Sequence, residues 1–230
     1  MDFKNTVLIW DLDNTLYRIT PELADMLDAA MAEALVYDLG VPLDFETTKA
    51  KVKESYRIFR DGGEFFYRDY GISPKDLFRT YNYRNPIDEI KPYDSLAEKI
   101  ISLPMRQYVF TASNRYASEK ILQRIGLYDF FKDNFFSVED FGCYKKNESA
   151  DVYHKLCQAI NAKPKDCMFV DDSYSNLEMA KKCGMKTVRI FYNGNSTKDK
   201  DFIDYAYKGV NAFVDDLREK IVLWEKKKKA

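Results

Sequence analysis

Val7-Leu8-Ile9-Trp10-Asp11-Leu12-Asp13-Asn14-Thr15-Leu16-Tyr17 is an apolar run that stops on two carboxylates one residue apart, followed by an amide and a hydroxyl. Four continuous apolar residues, two of them β-branched, predict a strand covered on both faces, as in a parallel sheet flanked by helices. Ligands of such sheets gather at the carboxyl ends of the strands. Asp11 and Asp13 then stand at the functional edge, where their charges repel unless a cation lies between them. Magnesium takes hard oxygen ligands and enters with one or two carboxylates plus substrate phosphate, so these residue types point to metal-assisted phosphoryl chemistry.

Beyond Tyr17 the period changes. Thr20 reads as a helix cap, Pro21-Glu22-Leu23 as a first turn, and Leu23, Met26, Leu27, Ala30, Met31 and Ala34 recur at helical spacing until Gly40-Val41-Pro42. A second helix is expected from Phe45 to about Arg60. Asp61-Gly62-Gly63 reads as a turn, followed by an aromatic-rich segment and a third helix near Ser73 to Tyr81. No strand pattern occurs between Arg18 and Glu89, so residues 18–90 read as an all-helical insertion.

Alternation resumes at Lys91. Helices are expected at Tyr93 to Ile101, Tyr116 to Ile125, Glu148 to Ile160, Ser175 to Cys183 and Phe213 to Trp224. Strands are expected at Tyr108 to Phe110, near Phe135-Phe136, at Cys167 to Val170 and at Lys186 to Ile190. Strands separated by helices imply right-handed crossovers and a parallel sheet. The expected fold class is therefore α/β: a Rossmann-like three-layer core from residues 1–17 and 91–230, with the helical insertion as a cap.

The chain has 230 residues, 46% hydrophobic and 32% charged, enough for a sizeable core. Its formal charge of −1 provides no global field for nucleic acid or an anionic membrane, so an anion must be held locally. Cys143, Cys157, Cys167 and Cys183 form no CxxC pair, which argues against zinc or a disulfide framework and for a reducing compartment, the cytoplasm. The N-terminal residues do not resemble a signal peptide, and no apolar run approaches a membrane span.

Three predicted strands end on small polar or acidic residues: Asp11 and Asp13, Thr111 and Ser113, Asp171 and Asp172. Their order, with Asp11-Leu12-Asp13-Asn14-Thr15, then Thr111, Lys145 and Asp171-Asp172, and Ser175-Asn176 beyond, resembles the haloacid dehalogenase-like superfamily of phosphatases over nearly the whole chain. The resemblance implies a phosphomonoester hydrolase that works through an aspartyl-phosphate. Asp11 is the expected nucleophile and Asp13 the expected acid and base. Two unit charges at ~4 Å repel by about 4 kcal/mol at an effective dielectric near 20, so cationic help is required. Magnesium is expected on the Asp11 carboxylate, the Asp13 backbone carbonyl and Asp171, with Asp172 through water and Asn176 orienting that shell. Thr111, the Ala112 N–H and Lys145, with Lys146 as the alternative, are the expected phosphate ligands. Two features depart from the family pattern: Ala112 follows Thr111, and Lys145-Lys146 replaces Lys-Pro.

Asn14 and Tyr17 narrow the resemblance to the pyrimidine 5'-nucleotidase branch, as does Tyr56-Arg57-Ile58-Phe59-Arg60-Asp61-Gly62-Gly63. This implies a nucleoside 5'-monophosphate as substrate, with small sugar or organic phosphates, or a phosphomutase, as alternatives. A metal-independent dehalogenase or a non-catalytic phosphate-binding module ranks lower. Phe65, Phe66, Tyr67 and Tyr70 read first as core of the insertion and second as a platform for a base. His154 and the cysteines read as packing residues, Lys226 to Lys229 as a solvated tail. The expected partner is a small phosphorylated metabolite, with the protein a monomer or small homo-oligomer.

Overall fold

The computed structural model describes residue 3, residues 5–193 and residues 200–229. In chain order its elements are β1 (Val7–Trp10), α1 (Pro21–Glu33), α2 (Phe45–Phe59), α3 (Glu64–Asp69), α4 (Pro74–Tyr81), α5 (Leu96–Ile101), β2 (Arg106–Thr111) and α6 (Arg115–Arg124). There follow α7 (Tyr128–Phe131), β3 (Phe135–Ser137), α8 (Ala150–Ala159), β4 (Cys167–Asp171), α9 (Tyr174–Lys182), β5 (Lys186–Phe191), β6 (Tyr205–Lys208) and α10 (Val210–Lys229). Packing divides the chain into two compact units, one of Met1–Arg18 with Lys91–Ala230 and one of Ile19–Ile90.

The larger unit is the expected α/β core. Its six strands lie in the order β3-β2-β1-β4-β5-β6, with every pairing parallel. Side chains alternate across the sheet. Val7 and Ile9 therefore join Phe110 and Phe169 under Val152, Leu156, Leu177 and Ala180 of α8 and α9. Trp10 points the other way, onto Phe213 of α10, with ring centroids 5.7 Å apart. Its indole N–H donates to Gln107 Oε1 at 3.0 Å, and Gln107 Nε2 donates to the Ile100 carbonyl at 2.8 Å, so the polar atoms of these two buried side chains are paired. β1 is buried throughout because it lies mid-sheet with helices on both faces. β6 escapes the sequence reading because an edge strand with partly exposed side chains needs no apolar run.

The smaller unit is helical throughout. Thr20 and Asp44 cap α1 and α2 by accepting from the N–H of Leu23 and Thr47. Its core is Ala34, Leu35, Val41, Val52, Phe66 and Leu77, with Phe65, Tyr67 and Tyr70 packed partly buried against it. The aromatic segment is a short helix, α3, and Gly63 at its start is more than a turn residue. A Cβ there would stand 2.3 Å from the Tyr67 hydroxyl, 2.4 Å from Tyr67 Cζ and 2.8 Å from Leu77 Cδ2. Gly63 has a φ of −87°, so the constraint is space and not backbone strain. Gly63→Ala should destabilise the protein by about 1–3 kcal/mol through overpacking. Urea titration measures this, and an unchanged midpoint would show that Tyr67 does not seat on Gly63.

Candidate active site

Strand register builds the site. Trp10 pairs with Val170, so Asp11 leaves β1 beside Asp171 at the end of β4, and the Asp11 N–H donates to the Val170 carbonyl at 2.8 Å. By alternation Asp11 continues the face of Ile9, and Asp171 that of Phe169. Two carboxylates 160 residues apart thus stand side by side, 4% and 0% exposed.

Between them lies Lys146, 2% exposed. Its ammonium donates to Asp11 Oδ1, to Asp171 Oδ2 at 2.8 Å and to the Phe110 carbonyl at 3.1 Å, which uses all three of its hydrogens. Below it are the rings of Phe169 and Phe110, 5.3 and 5.6 Å from Nζ. Burial would strip the proton from an isolated lysine, but Asp11 and Asp171 outweigh it and hold the Lys146 pKa above its ordinary value. Burial, then the charge of Asp171, push Asp11 well above the usual carboxylate range, and Lys146 pulls it back.

Asp13 is held on both oxygens. Oδ2 accepts from the Ser113 hydroxyl at 2.7 Å and the Thr111 hydroxyl at 3.2 Å, and Oδ1 accepts from the Tyr17 hydroxyl at 2.7 Å. Across the site Asn14, in the left-handed region at a φ of 56°, donates its amide to Asp172 Oδ2 at 2.7 Å. Asp171 also accepts from the Ser173 N–H at 2.7 Å and from Asn176 Nδ2 at 3.1 Å.

The donor set suits a hard cation. One carboxylate oxygen from each of Asp11, Asp171 and Asp172 lies within 4.8 Å of the others. Lys146 balances only one of the two carboxylates it touches, and Asp172 adds a further negative charge. All-oxygen ligands with surplus negative charge are what magnesium requires.

The sequence-predicted residues fall in different places. Asp11, Asp171 and Lys146 share one cluster, Thr111 contacts Asp13, and Asn176 contacts Asp171. The preference for Lys145 is corrected. Glu148 accepts from the N–H groups of both Tyr144 and Lys145 at 2.9 Å, and the chain beyond this turn delivers Lys146 to the carboxylates. Ala112 is exposed just past β2. Phe66, expected as a substrate contact, is fully buried in the helical unit and offers no face for stacking. Phe65 is partly buried and meets Phe59 edge-on at 5.2 Å. The sequence reading gave no site role to Tyr17, Ser113 or Asn14, although all three adjoin the motif residues.

A profile of the haloacid dehalogenase-like hydrolase family matches residues 6–184. Glyceraldehyde 3-phosphate phosphatase of Pyrococcus furiosus is 28% identical over 216 residues, spanning 87% of this chain and 86% of the relative. Phosphate metabolism protein 8 of Saccharomyces cerevisiae is 25% identical over 248 residues, spanning 95% of this chain and 68% of the relative. The crystal structure of a hydrolase from Pseudomonas syringae shares the fold at 16% identity with a TM-score of 0.65, covering 93% of this chain and 98% of that one.

Proposed function

The chain belongs to the haloacid dehalogenase-like hydrolase family, and from that membership and the acidic sheet edge we propose that it is a magnesium-dependent phosphomonoester hydrolase acting through an aspartyl-phosphate. One observation carries the reading: Lys146 holds Asp11 and Asp171 together while hydroxyl groups hold a second first-motif carboxylate, Asp13, apart from them. Asp11 attacks phosphorus, with Lys146 supplying positive charge beside it. The Thr111 hydroxyl and the Ala112 N–H are donors for the phosphate oxygens. Asp13 gives a proton to the departing oxygen, then takes one from the water that releases phosphate. Asp11, Asp171 and Asp172, with the Asp13 backbone carbonyl, would hold the metal. A divalent cation there neutralises charge between the phosphate and the carboxylates.

On this reading residues 1–17 and 91–230 are the catalytic core and residues 18–90 a cap that selects the leaving group. The motif residues Asn14 and Tyr17 favour nucleoside 5'-monophosphates. The name of the Pyrococcus furiosus relative favours a second reading, small sugar phosphates. Four free cysteines suit a reducing cytoplasm, and among the described residues no helix is long and apolar enough to cross a membrane.

A phosphate-release panel of nucleoside monophosphates, sugar phosphates and p-nitrophenyl phosphate tests both levels. Release should vanish with chelator and return with magnesium. Activity that persists in chelator refutes the metal dependence, and chloride release from a haloacid without metal would replace the phosphatase reading by a dehalogenase. The best ester of the panel decides between nucleotide and sugar phosphate.

A further inference from the structure

We propose that Tyr17, with Ser113 on the opposite oxygen, is a positioning residue that aims the Asp13 carboxyl at the leaving group. The inference rests on the proposed phosphatase reading and adds to it the residues that orient the acid. Asp13 is only partly buried, so packing alone does not fix its rotamer. The Tyr17 hydroxyl meets Oδ1 and the Ser113 hydroxyl meets Oδ2, each at 2.7 Å. A carboxyl group held at both oxygens keeps its plane, which a single contact would leave free to rotate.

The two holders are themselves fixed. Tyr17 is 2% exposed and stands one turn beyond Asp13, after the tight turn in which Thr15 and Leu16 donate to the Leu12 carbonyl. The Ser113 N–H donates to Thr111 Oγ1 at 3.0 Å, and its carbonyl accepts from the Ser137 hydroxyl at 2.8 Å. Phenol and serine oxygens accept as well as donate, so both contacts survive whether Asp13 carries a proton or not. An acid that must give and regain a proton needs holders of this kind. The Thr111 hydroxyl, at 3.2 Å, is the weakest of the three contacts and can leave for a phosphate oxygen without releasing Asp13.

The chemistry supplies a discriminating test. An alkyl alkoxide departs poorly unless protonated, whereas p-nitrophenolate departs unaided. Loss of aim at Asp13 should therefore penalise alkyl esters selectively, in kcat/KM, which reports the first transfer to the enzyme. Tyr17→Phe keeps the ring and removes the hydroxyl; Ser113→Ala releases the other oxygen. Each should lose about tenfold in kcat/KM on the fastest alkyl ester of the panel and less than about twofold on p-nitrophenyl phosphate. Magnesium binding by the free protein, followed calorimetrically with the metal alone, should be unchanged, since the metal-binding carboxylates are not touched.

Equal losses on both esters, or no loss on either, would overturn the inference. Should Tyr17→Phe fail to fold, the same ratio in Ser113→Ala decides. A wild type that releases phosphate from no ester overturns the phosphatase reading itself. A wild type that hydrolyses both esters, with variants matching it, overturns only the positioning role.

Discussion

Asp11→Asn should abolish phosphate release, by at least about a thousandfold, while making the metal-free protein more stable. The first effect follows from chemistry: an amide is no nucleophile toward phosphorus, and Asp11 is the carboxylate that Lys146 holds at the end of β1. The second follows from electrostatics. Asp11 is buried beside Asp171 with one ammonium between them, and its pKa is pushed up by burial and then by that neighbour. A carboxyl group whose pKa is higher folded than unfolded costs stability once the pH rises above its unfolded value of about 4. In chelator, then, the melting temperature of Asp11→Asn should overtake that of the wild type progressively as pH rises from about 4 toward neutrality. Asparagine can still accept from Lys146 through its carbonyl oxygen, so no ammonium hydrogen is orphaned. Full activity in Asp11→Asn would remove the nucleophile assignment, and an unchanged melting temperature across that range would remove the charge surplus.

The sheet was legible because its strands are nearly uniform apolar runs closed by polar residues. Val7 to Trp10, Val109 to Phe110 and Met168 to Val170 can be buried on both faces only mid-sheet, and the residues after them are forced to the carboxyl edge. That edge unites Asp11 with Asp171 by register alone. What resisted reading is what adjacent residues decide between. Lys145 and Lys146 are one position apart, and spacing from Gly142 favours the first; the turn that Glu148 makes with the N–H groups of Tyr144 and Lys145 gives the site to the second. No periodicity encodes a carboxylate folding back onto two amides. The same holds for Tyr17, whose hydroxyl reaches Asp13 only because the chain turns tightly at Leu12. In the helical unit, pattern distinguished core from surface but not Phe66 from Phe65: neighbours on a short helix, one fully buried and the other half covered.

Lys146→Met offers the sharpest stability test of the site. Methionine matches the length of the lysine stem and suits the floor of Phe110 and Phe169 rings, so packing is largely kept. What goes is the charge. Asp11 and Asp171, 4% and 0% exposed, then face each other with no ammonium between them, and the Phe110 carbonyl loses its donor. Removing one partner from a buried ion pair costs about 3–5 kcal/mol, because the remaining charge is uncompensated. The metal-free variant should therefore unfold at markedly lower urea than the wild type and show no phosphate release. Arginine would not rescue it, since its planar fork cannot place three hydrogens where the compact ammonium now places them. Magnesium should then raise the melting temperature of Lys146→Met by more than it raises that of the wild type, because the vacated charge strengthens the pull of Asp11, Asp171 and Asp172 on a cation and binding to the folded state alone is stabilising. If Lys146→Met is as stable as the wild type in chelator and indifferent to magnesium, the three aspartates do not form the cation site on which the proposed chemistry depends.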